Sequence, residues 1–146
     1  MVTRNKVSLP FRASFVLDHS GIQKAREELS QALRAALPMH GSRITDIVIA
    51  VGEILQNIVR YETPHATSPG FAMVVNLETG ALFIDILDNC APLETLEFLS
   101  REHEAGVHGG MGLGIIREVS DAYTIAPEKR GNRHRLRVRL PKPGNA

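Results

Sequence analysis

Residues 44–61, with the sequence ITDIVIAVGEILQNIVRY, carry their apolar side chains at the spacing of a single helical stripe. The members of that stripe are Ile44, Ile47, Val48, Val51, Leu55, Ile58 and Val59. Apolar residues at steps of three and four positions indicate an amphipathic helix that packs one side against a core. We predict that this helix begins after Ser42 or Thr45 and ends near Tyr61.

The sequence on either side of this helix changes between strand and helix patterns without a strict alternation. An earlier helix is predicted from Ser20, as its N-cap, to about Leu37, where Pro38 stops it. The remaining predicted elements are strands at 6–18, 71–77, 81–87, 122–126 and 134–140 and a short helix at 113–119. This order favours an α+β fold, a two-layer α/β sandwich with a mainly antiparallel sheet.

Length and composition exclude several classes of protein. The 146 residues fit one domain, which we place at residues 1–146, and the formal charge of +1 gives no field that favours nucleic acid or membrane. Cys90 is the single cysteine, which excludes an internal disulfide and fits a reducing compartment. The longest apolar runs, such as 47–51, are too short for a signal peptide or a membrane span. We therefore predict a cytoplasmic protein.

The first candidate site lies on the helix at 44–61. Glu53 and Asn57 are one turn apart, and Arg60 joins them on a face roughly opposite the apolar stripe. Such residues often form no more than a solvated polar face. The functional alternative is a metal and phosphate site, because magnesium needs few protein oxygen ligands when a nucleotide supplies phosphates. Glu53 could then accept a proton from an attacking hydroxyl group.

Asp88, at the end of the strand predicted at 81–87, is the second candidate. An aspartate there could simply form an Asx turn with the residues that follow. If the carboxylate is buried, it could instead accept a hydrogen bond from the amino group of a purine.

The third candidate is the glycine-rich run GGMGLGI at residues 109–115, directly before the short predicted helix. Glycines let backbone amides approach a phosphate closely, and a helix N-terminus favours an anion. The run lacks the lysine of a P-loop and the βαβ unit of a Rossmann site. A flexible loop without a ligand is the alternative.

Arginines alternate along the last strand, at Arg133, Arg135, Arg137 and Arg139. We favour an interpretation in which they protect an exposed edge strand against aggregation. An acidic protein partner or a nucleic acid is the alternative, although no interleaved aromatic residues are present to stack bases.

Three segments resemble, in the same order, the motifs of the GHKL ATPases, and most closely those of the anti-sigma-factor serine kinases. DIVIAVGEILQNIVRY at 46–61 is similar to the N box, IDILDNCAPL at 84–93 to the G1 box, and GGMGLGII at 109–116 to the G2 box. The resemblance covers nearly the whole chain. It implies the Bergerat ATP-binding fold, with a nucleotide between helices and sheet under a mobile lid at about 94–108.

The resemblance also implies roles for individual residues. Asn57 would hold magnesium, Glu53 would be the general base, and Asp88 would bind the adenine amino group. The other implied nucleotide-binding residues are Arg60, Cys90, Gly110, Met111, Gly112, Leu113, Gly114 and Ile115. The sequence departs from the family pattern in the turn after Asp88, where residues 90–92 replace glycines, and at Tyr61, where a histidine is common. Thr124 is the candidate for the threonine that commonly supports the adenine aspartate.

The function implied by the resemblance is an ATP- and magnesium-dependent serine/threonine protein kinase. Its acceptor would be an anti-sigma-factor antagonist protein, the same domain could sequester a sigma factor, and the protein would form a homodimer. No direct contact with nucleic acid or membrane is expected. The alternative is a nucleotide-responsive partner-binding module without kinase activity. A detached catalytic domain of a sensor histidine kinase is a further, weaker alternative.

Overall fold

The structure is a computed structural model, which describes residues 9–61, 67–92 and 110–141 and, for residues 110–113, the backbone alone. Its elements are β1 (Phe11–Val16), α1 (His19–Ala36), a 3-10 turn (Pro38–His40), α2 (Gly41–Tyr61), β2 (Gly70–Glu78), β3 (Ala81–Asp88), α3 (Gly110–Val119), β4 (Ala122–Glu128) and β5 (Gly131–Arg139). This order confirms the predicted α+β class. The predicted lid at 94–108 lies outside the described residues.

One sheet of five strands, in the order β1-β2-β3-β5-β4, forms the second layer of the fold. Every neighbouring pair is antiparallel. Along β2, β3 and β5 the side chains alternate between buried and more exposed positions. The buried side chains of the sheet join those of the helices in one core, for example Met73 and Ile84 with Leu33 and Leu55. The helices therefore cover one face of the sheet.

The helix α2 lies in the middle of the helical layer and packs against both α1 and α3. Five members of its predicted stripe are fully buried, namely Ile44, Ile47, Val51, Leu55 and Ile58. Val48 and Val59 are partly buried against the same core. The helix ends at Tyr61, as predicted, and begins at Gly41 because the preceding 3-10 turn leads directly into it.

The start of α1 differs from the prediction. Asp18, not Ser20, is the N-cap, and its Oδ1 accepts a hydrogen bond of 2.7 Å from the backbone N–H of Gly21. A Cβ atom at Gly21 would lie 1.7 Å from the carbonyl oxygen of Val16. The absence of a side chain at this position thus lets α1 begin directly against the end of β1.

The position of β5 also differs from the prediction. The strand lies between β3 and β4, so the edges of the sheet are β1 and β4. The prediction that Arg133, Arg135, Arg137 and Arg139 protect an edge strand is therefore wrong. Sequence order suggests an edge for a last strand, but here that strand inserts between two earlier ones, and both of its sides are hydrogen-bonded.

Candidate functional site

Asp88 ends β3 with its side chain on the helix-covered face, and only 4% of the residue is exposed. Its Oδ1 accepts a hydrogen bond of 3.0 Å from the backbone N–H of Cys90 and another of 3.2 Å from that of Asn132. The bond from Cys90 closes an Asx turn. The Asx turn predicted as one alternative is therefore present, and the carboxylate is also buried, which is the condition on which the purine interpretation depends.

The strand β5 supplies the other buried polar groups around Asp88. Asn132 donates from Nδ2 to Asp88 Oδ1 at 3.4 Å and to the carbonyl oxygen of Ala91 at 3.1 Å. His134 places its Nε2 2.9 Å from Asp88 Oδ2. Asn132 and His134 are each only 1% exposed. Register explains the arrangement, because Asn132 lies directly opposite Asp88 and His134 lies opposite Ile86.

Tyr123 on β4 extends this set through its hydroxyl group, which lies 3.1 Å from His134 Nδ1. One tautomer satisfies both contacts: if Asp88 is an ionised carboxylate, which only accepts hydrogen bonds, His134 donates to it from Nε2. In the neutral imidazole, Nδ1 then accepts from the Tyr123 hydroxyl. We call Asp88, Asn132, His134 and Tyr123 the Asp88 network.

Only Asp88 of this network was predicted from the sequence. The alternation that places Leu136 and Val138 inward also places His134 and Asn132 inward, and this signal could have identified both. Thr124, the predicted support for Asp88, is exposed and pairs with Arg135 instead. Inward and outward positions alternate on β4, so the neighbouring Tyr123 takes the inward position.

Gly131 allows β5 to approach the end of β3 this closely. Its φ angle is 126°, in the region that favours glycine. A Cβ atom at this position would lie 1.7 Å from the carbonyl oxygen of Asp88. A side chain at position 131 would clash with the Asp88 backbone. Glycine avoids this clash, and the backbone N–H of Asn132 can therefore reach the Asp88 carboxylate.

The turn at residues 90–92, which lacks the family's glycines, is tightly held. Cys90 is 2% exposed and belongs to the hydrophobic core. Asn89 ties the turn to the start of β2, because its Oδ1 accepts from the Gly70 N–H at 2.7 Å and its Nδ2 donates to the Ser68 carbonyl at 3.2 Å. The departure from the family pattern thus leaves an ordered turn that presents Asp88.

On α2, Asn57 does not lie on a solvated face, which corrects one interpretation of the sequence. Only 6% of Asn57 is exposed, whereas Glu53 is half-buried and Arg60 is exposed, with its guanidinium 5.8 Å from the centre of the Tyr61 ring. The cause is the central position of α2 between α1 and α3. No hydrogen bond joins the Asn57 side chain to another described residue. The Asn57 amide oxygen and nitrogen therefore keep hydrogen-bonding capacity for a ligand.

The glycine-rich segment forms the beginning of α3. The helix begins at Gly110, three residues before the predicted start at Leu113. Residues 110–112 are therefore helical and not a loop before the helix. Gly110, Met111, Gly112, Leu113, Gly114 and Ile115 are all helical. The first four backbone N–H groups of a helix have no partner within it, so this turn still offers donors for an anion. Gly109 lies outside the described residues.

A cavity of about 420 Å³ lies between α2 and α3. Its lining residues are Arg43, Asp46 and Ile49 from α2 and Ile115, Glu118 and Val119 from α3. Asp46 is seven positions before Glu53, which is close to two helical turns, so both project from the same side of α2. The cavity therefore opens on the side of α2 from which Glu53 projects, but it lies nearer the start of the helix, and Glu53 is not among its lining residues.

The arginines of β5 lie on the opposite face of the sheet from the Asp88 network. Arg135 donates two hydrogen bonds to Asp85, from Nε at 2.7 Å and from Nη2 at 2.9 Å. The hydrogen bonds to Asp85 raise the pKa of Arg135 above its usual value. Arg133 forms an ion pair of 3.4 Å with Glu128. This basic row is therefore partly neutralised and separate from the candidate site.

A metal-binding cluster and a membrane-spanning helix are both absent from the described part of the chain. Residues 9–61, 67–92 and 110–141 contain no group of three or more His, Cys, Asp and Glu side chains placed to hold a metal ion. None of the helices within these ranges has the length and apolar character needed to cross a membrane.

Comparison with known proteins identifies the family. The profile of the histidine kinase-like ATPase domain matches residues 15–138 of the chain. A similar solved structure is the histidine kinase domain of the blue-light-activated histidine kinase from Erythrobacter litoralis EL346. The two are 13% identical, the match covers 82% of this chain and 61% of that chain, and the TM-score is 0.53.

At 13% identity this structural likeness shows the fold alone, and the chain spans less than two thirds of that relative. No curated protein matches the chain. The family profile, in contrast, extends from β1 into β5 and includes all the described elements of the candidate site. The chain belongs to the histidine kinase-like ATPase domain family of the GHKL superfamily, a membership that supports ATP binding.

Proposed function

We propose that this domain binds ATP with magnesium and transfers the γ-phosphoryl group to a serine or threonine of an anti-sigma-factor antagonist. The observation that carries the proposal is the buried Asp88, held by hydrogen bonds from β5 and from its own turn. A buried polar carboxylate on the helix-covered face fits the adenine amino group, which needs an acceptor. The resemblance in the sequence assigns the same role to Asp88.

Asn57 is the residue proposed to hold magnesium. A buried amide with no hydrogen bond to another described residue is a fitting ligand for a cation brought by the nucleotide. Magnesium keeps several waters and takes few protein ligands, so a single amide oxygen is chemically adequate. When bound, the ion would neutralise charge on the transferred phosphoryl group.

The remaining residues provide positioning and proton transfer. The first turn of α3, from Gly110 to Gly114, offers backbone donors to the phosphates. Met111, Ile115, Cys90 and Arg60 keep their proposed roles as residues around the nucleotide. Glu53, half-buried one turn before Asn57, would accept the proton of the attacking hydroxyl group.

The proposed partners are those that the resemblance to the anti-sigma-factor serine kinases implies. The antagonist protein would be the phosphoryl acceptor, and a sigma factor would bind the same domain in a homodimer. The alternative function is a nucleotide-responsive partner-binding module, in which Glu53 has no chemical role. The ordered turn at residues 90–92 supports nucleotide binding under both functions.

The decisive experiment combines the protein with ATP, magnesium and the antagonist encoded beside it, and detects phosphoserine or phosphothreonine by mass spectrometry. The wild type should phosphorylate the antagonist. Glu53→Gln should bind ATP equally well and lose transfer, whereas Glu28→Gln, at an exposed position on α1, should retain it. Transfer that survives Glu53→Gln would remove Glu53 as the base. A wild type that binds ATP and the antagonist without any transfer would favour the partner-binding module.

A further inference from the structure

The contact between His134 and Asp88 is the polar feature of the site that neither the resemblance nor the proposed roles include. We propose that His134 is a positioning residue that orients Asp88 for a purine with a 6-amino group and thereby sets selectivity for adenine over 6-oxo purines. The proposal rests on the nucleotide binding proposed above and adds a residue that determines which base is accepted.

The two oxygens of the carboxylate have different surroundings. Oδ1 accepts from the Cys90 N–H, the Asn132 N–H and the Asn132 side chain. These bonds fix Oδ1 through the turn and through the start of β5. Oδ2 is the oxygen that His134 contacts, at 2.9 Å. The contact with His134 therefore contributes to the direction in which the second oxygen points.

Burial strengthens the contact between His134 and Asp88, so the contact can fix the orientation of the carboxylate. The side chains of His134 and Asp88 are both 0% exposed, so no solvent competes for the interaction. In such surroundings a hydrogen bond is stronger than in water, and an unpaired polar group is costly. Tyr123 holds the far side of the ring at Nδ1, so the imidazole cannot turn without losing two contacts.

The resulting pattern of donors and acceptors favours adenine. With Cys90, Asn132 and His134 as donors, the carboxylate keeps the role of acceptor toward a base. The 6-amino group of adenine donates a hydrogen bond, whereas the 6-oxo group of hypoxanthine or guanine accepts one. A 6-oxo purine would place two acceptors against each other in a buried site, which corresponds to a loss of about 10- to 100-fold in affinity.

The test compares ATP with inosine triphosphate (ITP), in which a 6-oxo group and an N1–H replace the 6-amino group and the unprotonated N1 of ATP. Dissociation constants for both nucleotides are measured by calorimetry on the wild type, His134→Gln, His134→Leu and Tyr123→Phe, with circular dichroism to establish folding. Glutamine can place a nitrogen donor near the position of Nε2, whereas leucine removes the donor. The readout is the ratio of the two constants, which a purely structural role for His134 would leave unchanged.

We expect the wild type to prefer ATP by about 10-fold or more, His134→Leu to reduce the preference to about threefold or less, and His134→Gln to restore much of it. Tyr123→Phe leaves His134 in place and should give an intermediate ratio, so it tests the proposal even if His134→Leu does not fold. An unchanged ratio in a folded His134→Leu, or in Tyr123→Phe if the leucine variant is unfolded, would overturn the inference and leave the proposed function intact. A wild type that binds neither nucleotide would overturn both.

Discussion

The carbonyl oxygen of Asp88 lies 1.7 Å from the position that a Cβ atom would take at Gly131. The two residues belong to neighbouring strands, and the approach places the Asn132 N–H 3.2 Å from the Asp88 carboxylate. The backbone of β5 thus forms part of the candidate site. Gly131, at the start of β5, is therefore required for the geometry of the carboxylate.

Gly131→Ala should therefore destabilise the protein strongly. The new methyl group would meet backbone atoms at a φ angle of 126°, so both a clash and backbone strain contribute, at a cost of about 2–4 kcal/mol in the free energy of unfolding. Gly80→Ala is the matched control, because Gly80 has a φ angle of 77° with no atom within 4 Å of the added carbon. That variant should lose about 1–2 kcal/mol. Urea denaturation measures both, and equal losses would contradict the steric role of Gly131.

Asn57→Leu should separate ligand binding from stability. Asn57 is a buried residue whose amide has no hydrogen bond to another described residue, so an apolar side chain of similar volume should change the free energy of unfolding by about 1 kcal/mol or less. The same variant should lose the enhancement of ATP binding by magnesium. Gln56→Leu, at the exposed neighbouring position, is the control and should keep it. Calorimetric titration with and without magnesium measures the effect, and a retained enhancement in Asn57→Leu would contradict the metal role.

Arg137→Ala should leave nucleotide binding unchanged. Arg137 lies on the uncovered face of the sheet, opposite Phe83 and Ala122 and away from the Asp88 network. The double variant Arg135→Ala and Arg137→Ala is also informative about nucleic acid. We expect no salt-sensitive binding of duplex DNA or RNA by the wild type. If the wild type binds duplex DNA or RNA and the double variant does not, the prediction that nucleic acid is not a partner is wrong.

Local patterns in the sequence predicted the elements of the fold well. The apolar stripe at 44–61 predicted α2 because helical periodicity is local, and its end at Tyr61 is the observed one. The start of α1 was misplaced by two positions because Asp18 and Ser20 are both good N-caps. Which of the two residues caps the helix depends on the close approach of Gly21 to Val16, and tertiary packing sets that approach.

The candidate site was predicted in part. Asp88 could be predicted because a carboxylate at the end of an apolar strand is conspicuous. His134 could not be assigned a role without knowing that β5 inserts beside β3, because its contact depends on a pairing between residues 46 positions apart. The arginine row was misinterpreted for the same reason. Strand order in a sheet is set by long-range pairing, and alternation along one strand carries no information about its neighbours.

The central claim, a nucleotide site at Asp88, is tested most directly by thermal-shift titration with ATP and ADP, with and without magnesium. Wild type and Asp88→Ala are compared, with circular dichroism to establish that the variant is folded. A ligand at about one hundred times its dissociation constant should stabilise the native state by about 2.7 kcal/mol. We predict a rise in melting temperature of the wild type that magnesium enhances and Asp88→Ala loses. No rise in the wild type at millimolar nucleotide, or an equal rise in a folded Asp88→Ala, would contradict the claim.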